Sequence, residues 1–368
     1  MDEISLIHSI APFKVQLQRS VPNNRSKTRQ FVVPFFLLCI LQVLQRIMTL
    51  FSKIHLDQIR TISIADRPRK VSEHDFATVF DSARDGELSR FVDSLPHVLK
   101  AADLRNFCND LAEIHRGGHS IALMFGGHVI KTGLSPIIID LMRRNIVTSI
   151  SMNSAAAIHD SENALFGRTS EDVAANLKDG TFGMSRETGE FINGTLAKYF
   201  EDDEVGYGEA LGLELLERAA PYRNKSVIAQ AIELRVPVTI HAAIGTDIVH
   251  QQPTMRGDIT GEMSFRDFRL FAGICAGLEG GAAINIGSSV IMPEVFLKAV
   301  TVARNLELGG RHFITANFDM LQHYRPQMNV LERPTQPDSK YYSFTGHHEI
   351  MIPLWAAMLK LAIERSTK

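Results

Sequence analysis

Cysteine is scarce in this chain. Three residues in 368, Cys39, Cys108 and Cys275, lie far apart in or beside apolar runs. That spacing argues against a disulfide framework or a cysteine-built zinc site, and it fits buried free thiols in a reducing, cytoplasmic compartment. Charge of one sign is lacking too. With 39 Lys and Arg against 41 Asp and Glu, the net charge is −2. No basic excess points to nucleic acid or to a membrane surface. The apolar run from Phe31 to Leu44 is broken by Pro34 and Gln42, and it falls short of the roughly 20 residues that a spanning helix needs. Arg19, Arg25, Lys27 and Arg29 precede it, and no small-residue cleavage site follows it, which disfavours a signal peptide. An uncleaved anchor and a start of translation at Met48 both stay open, the second being favoured. Residues 1–47 are therefore set apart as an N-terminal extension, and residues 48–368 as one large domain. No repeat, low-complexity tract or linker interrupts the latter. No HExxH spacing supports a metal site.

The stretch from Ser120 to Asp160 carries most of the information. Ile121 to Phe125 is a short apolar run ended by Gly126-Gly127, as in a buried parallel strand entering a tight turn. Ser135-Pro136 opens a helix, with Ser as cap and Pro at its first position. Ile137, Ile138, Leu141 and Met142 give that helix an apolar stripe, and Asn145 is its stop. Val147 to Met152 reads as the next strand, followed by a second loop of small residues, Asn153-Ser154-Ala155-Ala156-Ala157, and then His159-Asp160. In wound α/β sheets ligands bind beyond the carboxyl ends of strands. Small residues there let a ligand approach the backbone; the alternative is that they only permit close strand–helix packing. The turn itself, GGHVIKTG, is neither GxGxxG nor a Walker A loop.

The remaining chain alternates. Helices are predicted at Ala101 to Arg116, Glu187 to Phe200, Glu209 to Ala220, Val227 to Leu234, Phe265 to Leu278, from Pro293, and at Glu349 to Arg365. Strands are predicted at Thr61 to Ile64, Val236 to His241, Ala282 to Ile286 and His312 to Ala316, with an irregular stretch from His323 to Thr345. Strands alternating with helices imply a Rossmann-like parallel sheet flanked by helices, an α/β fold. His128, His159, His241, His250, His347 and His348 fall at strand ends or loops, with Asp160 and Asp247 nearby in the pattern. They suit general acid–base work on an amine or alcohol, or else are ordinary hydrogen-bonded or solvated histidines. His159-Asp160 is the strongest pair. Glu187, Glu190 and Glu262 read as cation-binding carboxylates or as surface charges. Trp355 reads as a stacking platform or as core.

Taken in order, GHVIKTGLSPIIIDLMRRNIVTSISMNSAAAIHD, VPVTIHAAIGTD and AAINIGSSVIMPEVFLKA resemble the deoxyhypusine synthase family, most closely its bacterial deoxyhypusine synthase-like branch. The resemblance spans Met48 to the C-terminus. It implies a Rossmann-like fold, bound NAD, and a homo-oligomer, usually a tetramer built from dimers. It further implies transfer of an aminobutyl group from a polyamine such as spermidine to an amine or lysine acceptor, or homospermidine synthase-like use of a polyamine acceptor. Carried over by position, it implies cofactor contacts from His128, Thr132, Gly133, Ser154, Ala155, Ala156, Asp247, Gly287 and Ser288. His159 and Asp160 fall where the family has two acidic residues. Two family motifs are missing. The Trp-Gly-Lys context of the catalytic lysine is absent from 329–340, leaving Lys131 as a better-placed candidate than Lys340. Val290-Ile291-Met292-Pro293 stands where the family has a histidine pair. These departures motivate the alternative of an NAD-binding regulatory protein without the transfer step.

Overall fold

A computed structural model describes residues 56–68, 71–76, 87–335, 337 and 339–366. The N-terminal extension, Cys39 and the apolar run at 31–44 lie outside the described residues. The sheet has six strands: β1 (Ile121–Phe125), β2 (Ser149–Asn153), β3 (Val238–His241), β4 (Ala282–Ile286), β5 (Ile314–Asp319) and β6 (Tyr341–Thr345). Their spatial order is β3-β2-β1-β4-β5-β6, and every pairing is parallel. This is the order of the doubly wound dinucleotide-binding sheet, in which the winding reverses between β1 and β4.

The helices that flank it are α1 (Leu99–Arg116), α2 (Ser135–Arg143), α3 (Ser154–Phe166), α4 (Arg186–Tyr199), α5 (Tyr207–Glu217), α6 (Val227–Glu233), α7 (Gly257–Ala276), α8 (Ile291–Asn305) and α9 (His348–Ser366). β1 shows why its sequence is apolar throughout. Ile121, Leu123 and Phe125 enter the core shared with α1, α2 and α9, while Ala122 and Met124 enter the one shared with α7 and α8. A strand covered on both faces has no polar face to alternate with. Trp355 belongs to the core: it is fully buried, its ring stacked on Phe107 at 6.3 Å and tilted against Phe318 at 5.6 Å. Cys108 and Cys275 are buried free thiols.

Three expectations change. The run Ser154 to Ala157 is not a loop but the first turn of α3. The Asn153 side chain caps it, accepting from the Ala156 N–H at 3.0 Å, and so stops the strand and starts the helix in one residue. The stretch from His323 to Thr345 contains a π-helical turn, Gln327–Glu332, and the edge strand β6. Thr61 to Ile64 forms no strand; Ile62 makes a single parallel bridge to Ser185. Among the described residues no helix is long and apolar enough to cross a membrane.

Candidate functional site

The loops leaving β1 and β4 cross at the point where the winding reverses. A Cβ on Gly126 would lie 2.7 Å from the Gly287 carbonyl oxygen, so the two backbones meet because neither has a side chain. Gly287 also has φ of 63°, and a Cβ there would meet the His348 ring at 2.6 Å. A Cβ on Gly127 would stand 3.2 Å from His159 Cδ2. The glycines thus bring β1, β4, α3 and α9 together at the carboxyl edge.

Around this crossing stand His128, Lys131, His159, His348 and Asp319. His128 follows Gly127 in a helical turn, Gly127–Lys131, and its ring lies 5.3 Å from that of His348 at 61°. Burial, then repulsion from His348 and Lys131, holds the His128 pKa below its usual value. His348 is buried. Its Nε2 lies 3.3 Å from the Phe318 carbonyl. A carbonyl only accepts, so Nε2 carries the proton. Nδ1 then offers a lone pair, and among the described residues it has no partner, nor does Asp319 Oδ2. No histidine pair follows β4, but His348 from α9 packs beneath Gly287 instead. Lys131 is half-buried and makes no hydrogen bond or ion pair with any described residue. His159 is partly buried. Its Nδ1 lies 2.6 Å from Thr169 Oγ1, and its Nε2 has no hydrogen-bond partner among the described residues. Burial pushes its pKa down to about 4, against the pull of Glu162, so the ring is neutral at neutral pH.

A second group sits beyond β2 and β3. Ser154 Oγ donates to Asp247 Oδ2. His250 Nδ1 accepts from the backbone N–H groups of Gly245 and Asp247, at 3.1 and 3.2 Å. Its Nε2 therefore bears the proton; it lies 3.8 Å from Asp247 Oδ2 and has no hydrogen-bond partner. Burial raises the Asp247 pKa and lowers that of His250. A groove of about 250 Å³ opens beside this group, lined by His241, Thr260, Ser264, Phe265, Phe268 and Val295.

Other expected site residues have local duties. The Thr132 hydroxyl donates back to the His128 carbonyl at 2.9 Å, and Gly133, at φ of 78°, ends that turn. Ala155 touches the position a Gly127 Cβ would take, and Ala156 is buried. Ser288 Oγ accepts from the Met292 N–H at 3.2 Å at the start of α8.

Asp160 does not join His159. Its carboxylate is buried under α6, accepting from Ser226 Oγ at 2.5 Å and from the N–H groups of Val227 and Ile228 at 2.8 and 3.1 Å. Consecutive helix residues point in different directions, and Asp160 holds a helix N-terminus rather than a ligand. Burial lifts its pKa to about 6. Asp160→Ala is expected to cost about 2–3 kcal/mol through the buried donors left unpaired, read from urea unfolding, with NAD affinity changed less than twofold. Lys340 is also displaced. It precedes β6 at the amino edge of the sheet and pairs with Asp110 at 3.0 Å. There it lines a separate groove of about 430 Å³ with Glu113, His119 and His312. Glu187 binds Ser63 and the Ile64 N–H, and Glu262 binds Arg266. Among the described residues no group of three or more His, Cys, Asp or Glu side chains is placed to hold a metal ion.

No known family profile matches the chain, and no characterised protein sequence does. Among solved structures it is similar to ArgZ, an arginine dihydrolase from cyanobacteria, at 15% identity and a TM-score of 0.43, over 73% of this chain and 33% of that one. It is similar to a conserved protein of proposed LOR/SDH type from Methanococcus maripaludis S2, at 16% and 0.45, over 74% and 71%. It is also similar to a proposed deoxyhypusine synthase from Entamoeba histolytica, at 12% and 0.43, over 77% and 96%. The chain thus spans about a third of the length of ArgZ.

Proposed function

We propose that this chain binds NAD across the β1/β4 crossing and catalyses a deoxyhypusine synthase-like transfer of an aminobutyl group from a polyamine such as spermidine to an amine acceptor. The observation that supports it most is the strand order itself. It reverses where two glycine loops touch, and there Lys131 and His159 Nε2 stand without partners. The residues present fit a dinucleotide. The crossing glycines let the β1 and β4 loops meet at the carboxyl edge, where such sheets take a dinucleotide. Asp247, with the unpartnered N–H of His250 beside it, supplies buried polar groups. Gly287 and Ser288 border the opposite side. When bound, NAD supplies a hydride acceptor.

The chain's own groups do the rest. As the substrate carbon beside nitrogen gives up a hydride, the nitrogen loses its proton to His159 Nε2, leaving an imine. The Lys131 amine adds to that imine carbon and the diamine fragment leaves, so the butyl unit passes to the lysine. An acceptor amine displaces Lys131 in turn, and the hydride returns to the carbon. The same reading expects a homo-oligomer.

The test is calorimetric titration of NAD, with and without spermidine, on the wild type and His159→Ala. Spermidine should tighten NAD binding, since coupled sites shift each other's affinity equally. NADH should appear by fluorescence in the wild type and fall by about 10²–10⁴-fold in His159→Ala, with NAD affinity retained. NAD binding indifferent to spermidine would favour the regulatory alternative. Absence of NAD binding would sink both.

A further inference from the structure

His159 is one end of a buried chain of polar groups that the proposed chemistry does not itself require. Thr169 Oγ1 lies 2.6 Å from His159 Nδ1 and 2.5 Å from Glu162 Oε2. Glu162 Oε2 is 3.0 Å from Arg67 Nη2, and Glu162 Oε1 accepts from the Thr188 hydroxyl at 2.9 Å. Arg67 Nη1 reaches Ser185 Oγ at 2.9 Å and Glu171 Oε1 at 3.5 Å. Thr169, Glu162 and Arg67 are all at most 2% exposed. His159 and Glu162 are three residues apart on α3, so they share a face. Thr169 is brought over them by the two-residue antiparallel pairing of Arg168–Thr169 with Val71–Ser72.

We infer that Thr169, Glu162 and Arg67 are positioning residues that lock His159 in the Nδ1-protonated tautomer, so that Nε2 faces the site as a lone pair. The reasoning is a count of protons. A carboxylate paired with Arg67 accepts only, and a hydroxyl has one proton. That proton goes to Glu162. Only lone pairs on Oγ1 remain for His159, so Nδ1 must donate. Nε2, bonded to the Cδ2 that stands toward Gly127, is left as the acceptor. Glu162 attracts a positive charge on the ring, whereas Lys131, Arg67 and His128 repel one. When the ring does take a proton on Nε2, the Thr169–Glu162 bridge is the element that stabilises it, as an orienting carboxylate does for the base of a hydrolase triad. The inference rests on the proposed function only for what Nε2 meets; the tautomer itself is a property of the protein alone.

Nitrogen-15 NMR of the imidazole rings tests it at neutral pH, with the His159 signals identified by their loss in His159→Gln. The wild type should show a protonated Nδ1 and an unprotonated Nε2. Thr169→Val removes the acceptor and should move proton occupancy toward Nε2, and Thr169→Ser should restore the wild-type pattern. A wild-type ring protonated at Nε2 overturns the inference whether or not Thr169→Val folds. So does a Thr169→Val spectrum identical to the wild type. Neither readout needs NAD or substrate, so failure of the transferase reading leaves the result standing on its own.

Discussion

Arg67→Met should destabilise the fold by about 3–5 kcal/mol, the usual cost of removing one partner from a buried ion pair. The guanidinium is within 3.0 Å of Glu162 and 3.5 Å of Glu171, and all three side chains are nearly inaccessible to water. Methionine fills much of the volume but leaves two buried carboxylates without their counter-charge. Glu171 keeps donors in Asn176 Nδ2 at 2.8 Å and the Gly183 N–H at 3.1 Å. Glu162 keeps the hydroxyls of Thr169 and Thr188. Those bonds do not neutralise the charges. Arg67 is also the last anchor of a strap that begins at Ile62. There the Ile62 N–H bonds the Met184 carbonyl at 2.7 Å and Glu187 accepts from Ser63 and Ile64. The loss should appear as a lower urea midpoint with unchanged slope. Adding Glu162→Gln to Arg67→Met should recover part of the loss, because the two sites share one network and their effects do not add. A cost below about 1 kcal/mol would mean that this buried pair contributes no more than an exposed ion pair does.

The fold was legible where burial leaves a periodic mark. β1 shows as an unbroken apolar run, and β4 as one broken only by Asn285, because both faces are covered, and glycines end them because their loops cross. β6 left no such mark. It is an edge strand in which Tyr342 and Phe344 point toward Phe107 while Tyr341 and Thr345 are exposed, and it follows a stretch rich in proline. The start of α3 was misread because alanine and serine runs suit a ligand loop and a first helical turn equally; only the bond from Asn153 to Ala156 separates them. Residues beside glycine turns do gather at the crossing, as His128 and Gly287 show, each against the His348 ring. Asp319 was not singled out, although an acidic residue ending an apolar strand is a signal that a sequence offers. Arg67 offered none. Its partner Glu162 lies 95 residues away, and one sequence carries no trace of which distant carboxylate a buried arginine will meet. Adjacency misled in the case of Asp160, because neighbours on a helix diverge.

The second large effect is acid lability from His241. This histidine ends β3, is 3% exposed, and packs 5.3 Å from the Phe271 ring. Burial pushes its pKa from 6.5 down to about 3. The sign follows from where protons bind. Below pH 6.5 the unfolded chain takes a proton on this ring, while the folded chain refuses it until about pH 3. Stability is therefore lost as pH falls through that window, at about 1.4 kcal/mol per pH unit. Asp267, whose pKa burial raises to about 8, and Asp160 act oppositely, since the folded state takes up protons there first. His159 acts with His241. The net curve of the wild type mixes these terms, so the discriminating measurement is the difference between the wild type and His241→Gln. From pH 6.5 to 4.5 the wild type should lose about 2–3 kcal/mol more than the variant in urea unfolding. Among the described residues the His241 Nε2 meets only the Thr239 hydroxyl, at 3.0 Å, and no carboxylate is on hand to hold a proton there. Parallel curves would mean that water reaches the ring through the groove beyond β3, and that this groove is wetter and more open than its Phe265, Phe268 and Val295 lining implies.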